Sequence, residues 1–186
     1  MIEYKFTLYT VPHTGAHFTV DLLNIVGLTL KDYLTMHWQT HAKPLPASPK
    51  FLLTARDPYL VGLRYILKGN SIETLAHQWA RQITNLNNID HFVLDIGCRE
   101  ADRLTHVCDA LNFIDIDPDP YMVRLRPYVN AWKPLNSTEE SVGGLVGAEK
   151  NKEQYLLTGK LPQEYDWSIL DDAVQWYKSL PTNDYV

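Results

Sequence analysis

Near the start of the chain stands the stretch Phe6-Thr-Leu-Tyr-Thr-Val-Pro12-His-Thr-Gly15-Ala-His-Phe18, an apolar run that stops at a Pro/Gly turn. It opens into Thr19-Val-Asp-Leu-Leu-Asn-Ile-Val26, in which apolar residues recur at helical spacing. The pattern predicts a strand, a tight loop and a helix. Such a loop points backbone N–H groups and the positive end of a helix dipole at one place, where an anion can bind. We expect the amides of Thr14 to Phe18, the Thr14 hydroxyl and His13 to face that anion; an ordinary strand-to-helix turn is the alternative.

Strand-like and helix-like segments alternate along the following residues. This alternation is typical of an α/β domain with a mainly parallel sheet and helices covering it. The predicted strands are Phe6–Thr10, Leu34–Trp38, Phe51–Ala55, His91–Ile96 and Asn112–Ile116, and the predicted helices are His17–Leu28, Pro58–Leu67, Ile72–Leu86 and Glu100–Leu111.

Beyond Asp115 the periodicity weakens into a Pro-rich, acidic stretch that reaches Pro134 and that we interpret as an ordered loop. Two further helices are predicted at Glu149–Leu157 and Ser168–Leu180. The 186 residues are therefore expected to form one domain, with a core over about residues 1–116 and a loop-rich, helical part over 117–186.

Composition argues against two classes of partner. The formal net charge of -5 disfavours general nucleic-acid binding and membrane-surface binding, because both depend on clustered Lys and Arg. The start of the chain lacks the basic and apolar regions of a signal peptide, and no apolar run approaches the ~20 residues of a membrane helix. We therefore expect a cytoplasmic protein in which local groups hold any anionic ligand.

A second group of polar residues follows the next two strands. Gln39-Thr-His41-Ala-Lys-Pro44 comes after one of them, and Phe51-Leu-Leu-Thr-Ala-Arg56-Asp-Pro58 is the next strand running into a helix. Arg56 ends a buried strand and Arg64 lies two helical turns further on, so both guanidinium groups are expected to reach one anion at the carboxyl edge of the sheet. Planar, multidentate donors suit phosphate.

Together these segments resemble the sulfotransferase family, which transfers a sulfuryl group from 3′-phosphoadenosine-5′-phosphosulfate (PAPS) to a hydroxyl or an amine. The family's Tyr-Pro-Lys-Ser-Gly-Thr-Thr-Trp loop is similar to Val11-Pro-His-Thr-Gly-Ala-His-Phe18, and its Lys-Thr-His-Leu-Pro segment is similar to Gln39-Thr-His41-Ala-Lys-Pro44. Its Arg-Asn-Pro segment, followed by a serine, resembles Arg56-Asp-Pro58 with Arg64 at the serine position. The resemblance covers roughly the first 115 residues.

The resemblance implies a three-layer fold of the phosphate-loop (P-loop) type and PAPS as the donor. His41 would be the general base toward a small-molecule or glycan acceptor, and His13 would stabilise the departing phosphate in place of the family's loop lysine. No metal is implied; the four-residue spacing of His37 and His41 is discounted as a metal site because no acidic residue or cysteine is near. By the same resemblance, the donor is bound by Pro12, His13, Thr14, Gly15, Ala16, His17, Phe18, Arg56 and Arg64.

Other interpretations remain open. Because His13 and Gln39 stand where the family has lysines, the chain is alternatively a catalytically degenerate domain that binds a nucleotide or a partner. Phe92-Val-Leu-Asp95-Ile-Gly97 followed by Phe113-Ile-Asp-Ile-Asp117 resembles the first two motifs of S-adenosylmethionine-dependent methyltransferases. A nucleotide kinase or hydrolase is a further alternative, although the lysine-bearing loop motif Gly-x-x-x-x-Gly-Lys-Ser/Thr is absent from the sequence.

Overall fold

A computed structural model describes residues 4–11, 13–36, 47–87, 89–98, 100–132, 151, 154–155 and 157–181 of the chain. Within these residues, four parallel strands form a sheet in the order β2-β1-β3-β4. They are β1 (Thr7–Thr10), β2 (Leu34–Met36), β3 (Phe51–Ala55) and β4 (His91–Asp95). The expected α/β class with a parallel sheet is therefore confirmed.

Helices follow most of the strands. They are α1 (Ala16–Ile25), α2 (Pro58–Leu67), α3 (Ile72–Leu86), α4 (Glu100–Phe113), α5 (Met122–Ala131) and α6 (Asp171–Lys178), with 3₁₀ turns at Asp119–Tyr121 and Trp167–Leu170. The bounds of β3, α2 and α3 are those predicted from the sequence. Their ends carry clear signals, since the Asp57 carboxylate caps α2 at the Tyr59 amide and the Ser71 hydroxyl caps α3 at the Thr74 amide.

Hydrophobic packing covers the sheet on both faces because successive strand residues point to opposite sides. Leu52 belongs to a buried cluster with residues of α1, α4 and α5. Its neighbour Leu53 belongs to another cluster, with Leu86 of α3 and Trp176 of α6. The C-terminal helices α5 and α6 thus pack on opposite faces of the sheet that the first half of the chain forms. No helix in the described part of the chain combines the length and apolarity that a bilayer span needs.

The structure corrects the prediction of a strand over Asn112–Ile116. Helix α4 continues to Phe113, and the amides of Ile114 and Ile116 both donate to the Leu111 carbonyl, which closes the helix in a turn. Asp115 takes the left-handed conformation at this turn, with φ of 62°. The apolar side chains that suggested a strand instead pack into the core from the end of a helix.

The ordered loop predicted between Asp115 and Pro134 is also wrong over most of its length, because α5 lies within it. Leu125 and Val129 are four residues apart and bury themselves on one side of this helix. Pro127 lies inside the helix, where its missing N–H would have bonded the carbonyl of Val123. Val123 is 89% exposed, so water can satisfy that carbonyl.

At the open edge of the sheet, beside β4, His106 of α4 takes the place of a neighbouring strand. Its Nε2 accepts the Asp95 amide at 2.9 Å, and the ring also hydrogen-bonds the Val93 backbone. Because Nε2 accepts a hydrogen bond, it carries no proton and the imidazole is neutral. Burial lowers the pKa of His106, which agrees with this protonation state.

Candidate functional site at the carboxyl edge of the sheet

The chain reverses its direction of travel across the sheet at β1. It moves from β1 to β2 on one side, then crosses to β3 on the other side, so the carboxyl ends of β1 and β3 form a switch point. In open α/β sheets, ligands bind in the crevice at such a point. Thr10 pairs with Thr54 in register, so the loop after β1 and the residues after β3 leave the sheet side by side.

A hydrogen bond between two buried threonines joins these segments. The Oγ1 atoms of Thr14 and Thr54 lie 2.6 Å apart, and Thr14 Oγ1 also donates to the Val11 carbonyl at 2.7 Å. Because Thr14 has only one hydroxyl hydrogen, Thr54 must donate to Thr14. The Thr14 amide also bonds the Val11 carbonyl, at 3.4 Å. Both Thr14 donors that the sequence analysis assigned to an anion thus bond within the turn, and Thr14 fixes the loop rather than facing outward.

Gly15 caps α1 in a conformation that other residues rarely adopt, with φ of 105°. A Cβ atom built on Gly15 would lie 2.3 Å from Cδ1 of Ile96, the residue that follows β4. Glycine is therefore required both for the backbone angle and for the close approach of the Ile96 side chain. This packing holds the first turn of α1 against the core on one side of the loop.

The first turn of α1 presents the backbone donors of the site. The first amides of a helix have no hydrogen-bond partner within the helix. In α1 these are the amides of Ala16, His17 and Phe18. The His17 side chain is exposed, while the buried Phe18 ring stacks on Tyr128 with ring centroids 5.3 Å apart. The Tyr128 hydroxyl donates to the Phe18 carbonyl at 3.1 Å, which ties α5 to this turn.

His13 is the other residue of the loop with a positive φ, at 63°. Such a conformation is uncommon for a residue with a side chain and costs about 1 kcal/mol. The imidazole is partly exposed and lies edge-on to the Tyr65 ring of α2, with ring centroids 6.1 Å apart. It therefore lies toward the helix that carries Arg64.

Arg56 and Arg64 lie close enough together to repel each other. Arg56 directly follows β3 and is 6% exposed, whereas Arg64 is partly buried on α2. Burial, and secondly the charge of Arg64, lower the pKa of Arg56 to about 10, while Asp57, Tyr177 and Asp95 oppose that shift. Arg56 is still fully protonated at neutral pH. The two arginines singled out in the sequence are thus near enough for the charge of Arg64 to act on Arg56, which follows β3 at the switch point.

Asp95 and Tyr177 complete this edge, and neither is among the residues predicted for it from the sequence. The buried Asp95 Oδ1 accepts the Gly97 amide at 2.7 Å and the Tyr177 hydroxyl at 3.1 Å. A Cβ on Gly97 would lie 2.8 Å from the Tyr177 Oη and 3.9 Å from Arg56 Cγ. An acidic residue at a strand end is a recognisable signal, but nothing in the sequence connects it with a tyrosine 82 residues away.

A second aspartate–tyrosine pair involves Asp57, the residue that follows Arg56 in the chain. Asp57 Oδ1 accepts the Tyr59 amide at 2.8 Å, and its Oδ2 accepts the Tyr155 hydroxyl at 2.9 Å. Burial and the neighbouring carboxylates raise the pKa of both Tyr155 and Tyr177, so both hydroxyls stay protonated and donate. Two tyrosines from the C-terminal part therefore bond the two aspartates whose charges act on Arg56.

Some of the predicted site lies beyond what can be described. Pro12, His41 and the neighbouring Gln39 and Lys43 fall outside the described residues. Among the residues that the structure does describe, no three His, Cys, Asp or Glu side chains are grouped so as to hold a metal ion.

The methyltransferase interpretation loses its second strand, because Phe113 ends α4 and the residues after it form a turn. The space beside Gly97 is also filled by the Tyr177 hydroxyl and Asp95. A cofactor therefore has no close approach to that backbone in the way that the family's glycine-rich turn provides.

The chain was compared with protein-family models, with curated proteins and with solved structures, and none of the three comparisons gave a match.

Proposed function

We propose that the crevice between the carboxyl ends of β1 and β3 binds the phosphates of an adenine nucleotide, and that the chain is a PAPS-dependent sulfotransferase of the three-layer P-loop type. The observation that carries the proposal is the position of Arg56 and Arg64. Arg56 follows β3 at the switch point, the charge of Arg64 acts on it, and Thr54, two residues before Arg56, is bonded to Thr14 of the loop after β1. The junction of β1 with α1 and the junction of β3 with α2 therefore border the same crevice.

Charge supports an anionic ligand there. Two guanidinium groups that repel each other both gain when a phosphate lies between them, since each can offer two parallel N–H donors. The Ala16 to Phe18 amides add the positive end of α1, which follows the loop after β1. Asp57 and Asp95 limit the local positive charge, which favours a ligand bound by directed hydrogen bonds over non-specific anion binding.

The chemical step follows the resemblance to the sulfotransferase family. PAPS supplies the sulfuryl group. His41 takes the proton of an acceptor hydroxyl or amine as the acceptor atom bonds to sulfur, and the bond between sulfur and the donor phosphate breaks. The α1 amides and a protonated His13 stabilise the charge that this phosphate gains. A bound anion would favour the protonated form of His13 because opposite charges raise a histidine pKa.

A second candidate function is nucleotide binding without transfer. It is favoured by the turn itself, because both Thr14 donors bond the Val11 carbonyl and His13, in place of a lysine, lies against Tyr65. Such a protein would bind the same ligand through Arg56 and Arg64 and leave the donor intact.

Thermal unfolding with 3′,5′-adenosine bisphosphate tests the binding. A ligand at ~100 times its dissociation constant stabilises the folded state by ~2.7 kcal/mol, which is a clear shift in Tm. Arg64→Gln should remove most of the shift, while Arg126→Gln, which removes the same charge from the exposed face of α5, should keep it. S-adenosylhomocysteine, which has no phosphate, should give no shift, and ATP with Mg²⁺, which lacks the 3′-phosphate, should give a smaller one. A wild-type protein that responds equally to all three nucleotides, or to none, contradicts the proposal.

Consumption of PAPS separates the two candidates. Incubation with a panel of hydroxyl and amine acceptors should release 3′,5′-adenosine bisphosphate, which chromatography detects. His41→Ala should abolish this release and leave the thermal shift unchanged. Binding without release by the wild-type protein would favour the non-catalytic candidate.

A further inference from the structure

A groove of about 540 Å³ follows the open edge of β4, the last strand in the sheet order. Ligand pockets usually measure about 300–1,000 Å³, so the groove is large enough for several side chains. Thr105 and Asp109 of α4 line it, as do Leu180 and Pro181, which follow α6. Because α4 and α6 pack on opposite faces of the sheet, the groove is bordered from both faces. It includes His91 at the amino end of β4 and is therefore separate from the crevice at the carboxyl ends of β1 and β3.

The backbone of His91 faces this groove. The Phe51 amide of β3 bonds the Asp90 carbonyl, and Phe51 is the register partner of His91, so the amide and carbonyl of His91 point away from β3. Further along the same edge, the His106 ring already bonds the backbone. No described residue bonds the outward amide or carbonyl of His91. An antiparallel strand from another chain can therefore exchange two hydrogen bonds with His91.

The side chains of the groove favour one kind of strand. Phe92, Val93 and Leu180 supply apolar surface, and Asp109 is an exposed carboxylate. None of the described residues that line the groove is Lys or Arg. A second copy of the chain would bring another acidic groove against this one, and residues 182–186, which follow Pro181, contain an aspartate but no cation. Charge therefore favours a separate partner that carries a cation.

We propose that the groove binds an extended segment of a partner protein in which a lysine or an arginine is flanked by apolar residues. The segment pairs with the His91 backbone, its apolar side chains contact Phe92 and Leu180, and its cation lies beside the Asp109 carboxylate. Backbone pairing provides affinity and the side-chain contacts provide specificity, as in other partners that add a strand to a sheet.

Selection of random hexapeptides displayed on phage against the wild-type protein tests the proposal. We expect the enriched sequences to share a Lys or Arg beside β-branched or aromatic residues. The dissociation constant of the most enriched peptide is then measured by fluorescence anisotropy. Asp109→Lys should raise it at least about fivefold, because attraction becomes repulsion. Glu164→Lys makes the same change of charge at an exposed residue outside the groove and should leave it within about twofold. A peptide with Glu in place of its cation should prefer the Asp109→Lys variant to the wild type.

NMR titration of the labelled protein with the same peptide tests the backbone pairing. The His91 amide signal should shift, and the signal of Leu94, whose amide faces β3, should shift less. The proposal is overturned if no peptide is enriched, if the enriched peptides lack a cation, if both lysine variants bind equally well, or if the His91 signal does not move. A dimer in sedimentation that the peptide dissociates would assign the groove to a second copy. Affinity that rises when residues 182–186 are deleted would assign it to the end of this chain, and either result overturns the proposal as well.

Discussion

The hydroxyl groups of Thr14 and Thr54 lie 2.6 Å apart, and neither side chain is exposed to solvent. This contact joins the loop after β1 to the end of β3, so the two junctions that the proposed function brings together are already linked in the structure. Thr54 donates and Thr14 accepts, because the Thr14 hydrogen goes to the Val11 carbonyl. The bond therefore depends on the Thr54 hydroxyl in particular.

Replacing Thr54 by Val removes this donor at nearly constant volume. We expect the free energy of unfolding to fall by about 1 kcal/mol, the usual contribution of a buried hydrogen bond. The Tm shift by 3′,5′-adenosine bisphosphate should also decrease, because the loop loses its connection to β3. Urea unfolding measures the first effect. Thr54→Ser keeps the hydroxyl and serves as the control, and equal nucleotide responses in both variants would show that the link does not matter for binding.

Gly15→Ala should be among the most destabilising single changes in the chain. The Ala Cβ meets Ile96 Cδ1 at 2.3 Å and also requires a positive φ, so we expect a loss of at least about 2 kcal/mol in urea unfolding. Gly27→Ala is the control for the backbone angle alone, with a φ of 82° and no atom within 4 Å of the new Cβ, and should cost about 1 kcal/mol.

Shortening Ile96 tests the cause of the larger loss. Ile96→Val removes Cδ1, the atom nearest to the new Cβ, so Gly15→Ala should cost less in the Ile96→Val background than in the wild type. The same cost in both backgrounds would rule out a collision with Ile96.

The stability of the fold should fall as the pH decreases below about 6.5, the ordinary pKa of an unfolded histidine. Burial holds the pKa of His106 below that value in the folded protein, so the unfolded chain binds a proton more readily. The stabilisation is complete above the unfolded pKa and is lost as the pH falls toward the folded one, at no more than about 1.4 kcal/mol per pH unit. The charge of Asp109 partly offsets the burial by raising the pKa of His106. Asp102 and His91 line the same surface groove as His106.

His106→Gln separates this effect from other titrations, because its amide can still accept from Asp95 and donate to Val93. Urea midpoints between about pH 5 and pH 8 should decrease less steeply in this variant than in the wild type. Parallel profiles would show that His106 does not carry the pH dependence.

Asp57 has two functions that substitution can separate. Asp57→Asn keeps an oxygen for capping α2 and should change stability little, whereas Asp57→Ala loses both the cap and the acceptor for Tyr155, and should cost about 1–2 kcal/mol in urea unfolding. A loss of the same size in both variants would indicate that the charge of Asp57, rather than the hydrogen bonds, stabilises this junction.

The sequence predicts best where local signals agree. Asp57-Pro58 and Ser71 mark the starts of α2 and α3, and the bounds of both helices are confirmed. The apolar run around Phe113 was wrongly predicted to be a strand, because a short apolar segment can have the same composition at the end of a helix as in a strand. Prolines suggested a loop where α5 forms, because the sequence does not show that the carbonyl left unbonded by Pro127 lies on the exposed side of a helix.

The sequence predicts only those parts of the candidate site that lie within a recognisable local motif. The arginine pair after β3 follows from a strand end and a helical spacing. The role of Thr14 could not be foreseen, because a hydroxyl in a turn can face a ligand or close the turn, and only the position of Thr54 distinguishes the two. Tyr155 and Tyr177 reach the site through packing of the C-terminal part, which no local pattern encodes.

The most direct test of the central claim is an NMR titration of the isotopically labelled protein with 3′,5′-adenosine bisphosphate. The backbone amide signals of Ala16 and His17 and the Nε–H signal of Arg56 should shift together and give one dissociation constant. Shifts confined to one of the two groups, or different constants for the two, would contradict a single anion held between β1 and β3.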